Sequence, residues 1–178
     1  MTDSELVAGI AAGDLEALEA LVGDYHQPVL RYLWQAGGSK EDAEDLACQT
    51  LLKVRSDIAG FRGQGTLRSW IYRVAYRELL QHRRRQALMR WIPFVGHETS
   101  THDSDDALVL TEALLTIPIA QRTAFLLTEV EGLSTQEASA ALGIPEGTVK
   151  SRSHHARMRL RKLLAPTFGE RNAEATID

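Results

Sequence analysis

Lys150, Ser151, His154 and His155 crowd the stretch GIPEGTVKSRSHHARMRLRKLL, residues 143–164, with Thr148, Arg152 and Arg157 among them. Lysine, serine and histidine donate hydrogen bonds to base edges, and basic side chains neutralise phosphate. Such contacts need no bond-making group, so the chemistry on offer is recognition of a polyanion rather than catalysis. Counting about 100° per residue from Val149 puts Val149, Ser153, Ala156, Leu160, Leu163 and Leu164 in a stripe about 120° wide, the width of a core-facing helix side. Lys150, Ser151, His154, His155, Arg161 and Lys162 fall on the opposite side, which turns the positive charge outward.

The elements that must position this face announce themselves just upstream. Ser134 followed by Glu137 is a capping box for a short helix, Gly143 stops it, and Pro145 suits the first turn of the next. A short helix, a glycine-containing turn and a second, basic helix make a helix-turn-helix, whose second helix enters the major groove. Base contacts come from the first turns of such a helix, whereas Arg161 and Lys162 lie later and suit phosphate or protein. The same basic amphipathic pattern also fits plain solvation or an acidic protein partner. His154 and His155 lack the further ligands that a metal site needs.

The chain has 178 residues, 44% hydrophobic and 25% charged, a globular composition with room for one ordinary domain or two small ones. No apolar run reaches the roughly 20 residues of a membrane span. The acidic start, Met1 to Glu5, lacks the basic opening of a secretory signal. The single cysteine, Cys48, excludes an internal disulfide and fits a reducing cytoplasm. A formal net charge of −4 conceals blocks: −7 over residues 1–60, +7 over 61–90, −5 over 91–121, +3 over 122–165 and −2 over 166–178. Two basic blocks between acidic ones mark two docking places for a polyanion, or two solvated helix faces. No triad, phosphate loop or metal-ligand spacing points to an enzyme, and no cofactor is implied.

Helical signals run through most of the chain. Thr2 with Glu5 opens a first helix carrying Leu6, Val7 and Ile10. Asp14 opens a second, with Leu15, Leu18, Leu21 and Val22 as its apolar side, Pro28 as a kink and Gly37-Gly38 as its stop. Ser39 with Asp42 starts a third, to about Asp57. The loop GFRGQGT (60–66) precedes a long helix from Leu67 to about Arg85, whose buried stripe is Leu67, Trp70 and Val74. WIPFVGHETSTHDSDD (91–106) reads as a linker, helices resume near Ala107, and Pro118 begins another that Gly132 ends. The expected fold is all-α: two small helical domains, 1–90 and 107–170, joined by a flexible linker and followed by a tail, 171–178. No regulatory domain is expected beyond the last helix.

EGLSTQEASAALGIPEGTVKSRSHHAR resembles the second DNA-binding domain of the bacterial extracytoplasmic-function (ECF) sigma factors, the promoter-recognition subunits of RNA polymerase. DAEDLACQTLLKV (42–54) resembles their core-polymerase-binding helix, and FRGQGTLRSWIYRVAYRELLQHRRR (61–85) the segment that melts and reads the −10 element. The resemblance spans about residues 5–165 in order and spacing. It implies −35 contacts from Thr148, Lys150, Ser151, Arg152, His154, His155 and Arg157. It implies −10 contacts from Phe61, Arg62, Gln64, Thr66, Arg68, Trp70, Arg73 and Arg77. The partners implied are core RNA polymerase (β′ clamp and β flap), promoter DNA and an anti-sigma factor. The family usually has glutamine where Cys48 stands, an acid at Gln49, asparagine at Arg77, an apolar residue at Ser153 and often arginine at His155.

Periodicity on the third helix adds its own reading. Ala43, Ala47, Thr50, Leu51, Val54 and Ile58 share one side and should be buried, while Glu41, Asp45, Cys48, Gln49 and Leu52 point away. A leucine among acids on an outer face suits a protein interface with an apolar anchor, and the resemblance assigns Glu41, Asp42, Asp45, Cys48, Gln49 and Leu52 to polymerase binding. Trp70 and Tyr76 either stack on bases or pack, and Trp70 is expected in the core. Two other functions fit parts of the pattern: a freestanding, dimerising helix-turn-helix regulator, and a sigma-like protein that has kept only partner binding.

Overall fold

A computed structural model describes residues 2–37, 39–63, 65–89 and 105–174. Most of the expected linker (91–106) and the candidate Gln64 lie outside the described residues. Eight α-helices follow one another among those residues: α1 Asp3–Ala12, α2 Leu15–Gly37, α3 Lys40–Asp57, α4 Leu67–Met89, α5 Asp105–Leu115, α6 Ile119–Phe125, α7 Thr135–Leu142 and α8 Glu146–Glu174. The starts were written in the sequence. Thr2 and Glu5 close a capping box on α1, Ser39 accepts from the Asp42 amide on α3, and Ser134 and Glu137 close a second box on α7. Asp14 Oδ1 accepts from the Glu16 amide, 3.1 Å away, to open α2.

The first half packs α1, α3 and α4 around α2. Leu21, Val29, Tyr32, Leu33, Ala36, Ala43, Ala47, Val54, Leu67 and Ile71 form its core. Every residue expected on the buried side of α3 is buried, because a helix with that spacing has no other apolar face to offer. The second half packs α6 and α7 on α8, around Leu126, Leu127, Ala138, Val149 and Ala156. A π-helical turn at Leu126–Val130 lets the chain leave α6, and Gly132, at φ +68°, reverses it toward α7.

Several expectations give way. Leu15 and Val22 are exposed, so the apolar side of α2 is narrower than its spacing suggested and centres on Ala17 and Leu21. Leu163 is exposed as well, whereas its neighbour Leu164 is partly buried against the core. α4 continues to Met89, α5 begins at Asp105, within the expected linker, and α8 continues to Glu174, past the expected tail boundary. On α4 the stripe of Leu67 and Val74 is joined by Ile71, Tyr72, Ala75 and Leu79, all buried. Their burial follows from tertiary packing: α4 lies against α3 on one side and receives α7 from the other half.

The turn between α7 and α8 depends on Gly143, whose φ of +67° lies in the left-handed region. A Cβ there would touch nothing within 4 Å, so the cost of Gly143→Ala is backbone strain alone, about 1–2 kcal/mol by urea or thermal unfolding. Gly147, inside the first turn of α8 with open space around it, gives the opposite sign: Gly147→Ala should stabilise by about 0.4–1 kcal/mol.

Candidate nucleic-acid interface

α8 is divided lengthwise. Val149, Ser153, Ala156 and Leu160 are buried, and Lys150, Ser151, His154, His155, Arg161 and Lys162 are exposed, as the spacing predicted; Arg157 is exposed too. Thr148 and Arg152 are half-buried. The two imidazole rings of His154 and His155 stand 6.1 Å apart, both facing solvent. Arg157 pairs with Glu129 at the edge of the face, and Ser151 Oγ donates to the Thr148 carbonyl at 3.1 Å. Ser153, a polar residue on the packing side, has its own complement: its hydroxyl lies 2.9 Å from that of Thr128 in the π-turn. A buried hydroxyl with a partner costs little, which is how this helix tolerates serine on its packing side.

The loop and long helix of the first half form a second basic surface. Phe61 and Trp70 pack ring against ring, 5.5 Å between centroids, and both are half-buried, so the core reading of Trp70 is met only in part. Trp70, Arg73, Arg77 and Arg84 share one side of α4 by helical spacing, and the three arginines are exposed, as is Arg62 in the loop. Thr66 and Arg68 are occupied differently. The Thr66 hydroxyl donates to Glu137 Oε1 at 2.8 Å, and Arg68 donates to the Glu131 main-chain carbonyl while lying 6.0 Å over the Tyr72 ring. Arg73 and Arg77 are thus exposed on one side of α4 and Arg62 is exposed in the loop, whereas Thr66 and Arg68 turn toward the other half.

Glu131 is the residue that sequence reasoning missed. Its side chain is 1% exposed, and its carboxylate accepts from Arg31 and from the Tyr72 hydroxyl. Burial and the neighbouring Glu131 push the Tyr72 phenol well above its usual range. The Glu137 carboxyl is held below the usual range by the Ser134 amide and then by Thr66. Arg122, 3% exposed, has Nε and Nη1 without hydrogen-bond partners among the described residues, and burial together with Arg83 pulls it down to about 10, still protonated at neutral pH. The capping box marks Glu137 in the sequence, but nothing in the local pattern marks Glu131, whose side-chain partners come from helices distant in sequence.

On α3, Glu41, Asp45, Cys48, Gln49 and Leu52 face solvent as expected, with Leu52 63% exposed. Asp42 behaves otherwise. It is half-buried, accepts from Gln86 Nε2 at 3.1 Å and lies 3.2 Å from His82 Nε2, tying α3 to α4. Beside Leu52 runs an apolar groove lined by Leu18, Leu21, Val22, Cys48 and Leu51. Exposed Val22 thus belongs to a surface shared by α2 and α3 rather than to the core.

Residues 21–88 match the family described as Sigma-70 region 2, and residues 107–160 match Sigma-70, region 4. The chain is 30% identical over 168 residues to the ECF RNA polymerase sigma factor SigM of Mycobacterium tuberculosis, covering 92% of this chain and 85% of that one. It is 32% identical to the ECF RNA polymerase sigma factor SigE of Mycolicibacterium smegmatis, covering 90% and 67%. Among solved structures it resembles RpoE of Bartonella quintana, seen in complex with the anti-sigma factor NepR, at TM-score 0.66 and 29% identity over 79% of this chain and 92% of that one. CnrH, seen with the cytosolic domain of CnrY, shares the fold at TM-score 0.73 and 22% identity, covering 92% and 97%. No described helix is long and apolar enough to cross a membrane.

The exposure of Leu52 against the burial of Leu51 gives a sharp contrast. Leu52→Glu should leave helicity and urea unfolding within about 0.5 kcal/mol of the parent, as surface substitutions do. Leu51→Glu should destabilise by more than about 3 kcal/mol, because it buries an unpaired charge. Circular dichroism of both variants reads the difference.

Proposed function

The chain belongs to the ECF sigma factors of bacterial RNA polymerase, and from that premise we propose how its surfaces divide the work of promoter recognition. α8 reads the −35 element with Thr148, Lys150, Ser151, Arg152, His154, His155 and Arg157. The loop before α4 and the outer side of α4 hold the −10 element, through Phe61, Arg62, Gln64, Thr66, Arg68, Trp70, Arg73 and Arg77. α3 meets the β′ clamp of core polymerase through Glu41, Asp45, Cys48, Gln49 and Leu52, with Asp42 bracing α3 against α4 from the same side.

The observation that carries this reading is the division of α8, where one side is spent on the core and the other, rich in donors, is left to solvent. Donors in the first turns of the second helix of a helix-turn-helix are placed to reach base edges. The reading needs no catalytic group and no cofactor. An anti-sigma factor is the natural controller, as NepR is seen with RpoE, and the apolar groove at Leu52 suits an apolar anchor from such a partner or from polymerase.

Run-off transcription with core polymerase, on promoters found by sequencing transcripts after overproduction, tests the function directly. Addition of the protein should start specific transcripts; their absence refutes the reading. Lys150→Ala and His154→Ala should each cost about 1–3 kcal/mol in holoenzyme binding to a cognate −35 duplex and change base preference. Lys162→Ala should weaken binding evenly across sequences. Leu52→Glu should remain folded yet fail to co-elute with core enzyme, since an apolar anchor is worth about 2 kcal/mol or more.

A further inference from the structure

Glu131 reaches out of its own half. Arg31 Nε and Nη2 lie 3.3 and 3.1 Å from Oε1, Nη2 lies 3.4 Å from Oε2, and the Tyr72 hydroxyl donates to Oε2. Arg68 donates to the main-chain carbonyl of the same residue. All three donors belong to the first half: Arg31 to α2, Arg68 and Tyr72 to α4. Tyr72 is held from behind by the edge of Tyr32, 5.3 Å between ring centroids. An arginine fork beside a second hydrogen-bond donor fits a carboxylate and a phosphate equally, because both present two oxygens in one plane.

We propose that Arg31, Arg68 and Tyr72 form a binding site for a phosphate of promoter DNA, and that Glu131 fills this site in the free chain, closing the two halves over α4. The inference rests on the function proposed above, in which α4 and its preceding loop meet DNA. Two observations favour a DNA phosphate over an acidic protein as the outside ligand. Arg68 and Tyr72 belong to the same helix as Arg73 and Arg77, in the block of +7, though they face a different side of it, and Arg31 joins them from α2. A second carboxylate of the same half, Glu137, covers Thr66 in that loop. Two acidic groups of the second half thus stand on polar groups of the stretch assigned above to DNA.

Closure and promoter binding then exclude each other. The apparent affinity for any ligand of the open form falls by the fraction of chain that is open. Glu131 is therefore a lock, and removing its charge opens the chain without touching the phosphate site.

The test uses the full chain and the reconstituted holoenzyme. Glu131→Gln keeps the shape and removes the charge. Small-angle scattering should show a larger radius of gyration, and core polymerase should bind about 3–10-fold more tightly. Arg31→Gln should open the free chain to a similar degree. In holoenzyme, however, it should weaken promoter binding about 10-fold and reduce the salt slope by about one, as loss of one phosphate contact does. Melting curves identify any variant that is unfolded; Arg31→Lys, which keeps the charge and loses the fork, then carries the same readouts with a smaller loss. A Glu131→Gln chain as compact as the parent, with unchanged affinity for core polymerase, overturns the lock. An Arg31→Gln holoenzyme with parental promoter affinity and salt slope overturns the phosphate assignment. Parental holoenzyme that binds no promoter overturns the proposed function as well, an outcome seen before any variant is compared.

Discussion

A buried carboxylate has to be met by donors, or its desolvation destabilises whatever buries it. Glu131 is met by Arg31 and Tyr72, and its backbone by Arg68, so α2 and α4 are committed to one position relative to the turn that carries it. That turn is itself constrained. The π-helical turn before it and Gly132 after it direct the chain into α7, which then lies along α4. The relation between the halves follows from satisfying one acid.

The same packing sorts the basic groups of α4 into two populations. Arginines on its outer side are exposed, where long-range attraction to a polyanion would act on them directly. Arg68, on the opposite side of the helix, is spent on an internal acceptor. Thr66 is likewise occupied by Glu137, which also caps α7, so a helix start in one half is coupled to the loop of the other. These are polar contacts, and polar contacts between domains exchange with water at modest cost, unlike an apolar interface of the same area.

α8 shows how a departure from an apolar pattern is absorbed. Ser153 would leave a buried hydroxyl alone in a core position, but the π-turn brings Thr128 against it. The pair keeps α8 seated, and with it the angle at which Lys150, Ser151, His154 and His155 are presented. Arg157, paired with Glu129, anchors the edge of that face to the turn after α6.

Local signals determined much of this protein. Capping residues placed the starts of α1, α2, α3 and α7, Gly143 placed the end of α7, and the period of Val149, Ser153, Ala156 and Leu160 determined which side of α8 faces solvent. The buried side of α3 and the isolation of Leu52 were equally legible, since a single amphipathic helix has only one way to hide its apolar residues. Tertiary structure decided the rest. Leu15, Val22 and Leu163 continue apolar spacings yet remain exposed, while Tyr72 and Leu79 are buried on α4 once α2 and α7 have packed there. Glu131 and Arg31 are 100 residues apart in the chain, and periodicity within one helix carries no information about which distant side chain will share its pocket. Helix starts and faces arise from neighbours within a few residues; the pairing of charges between halves arises only when both surfaces exist.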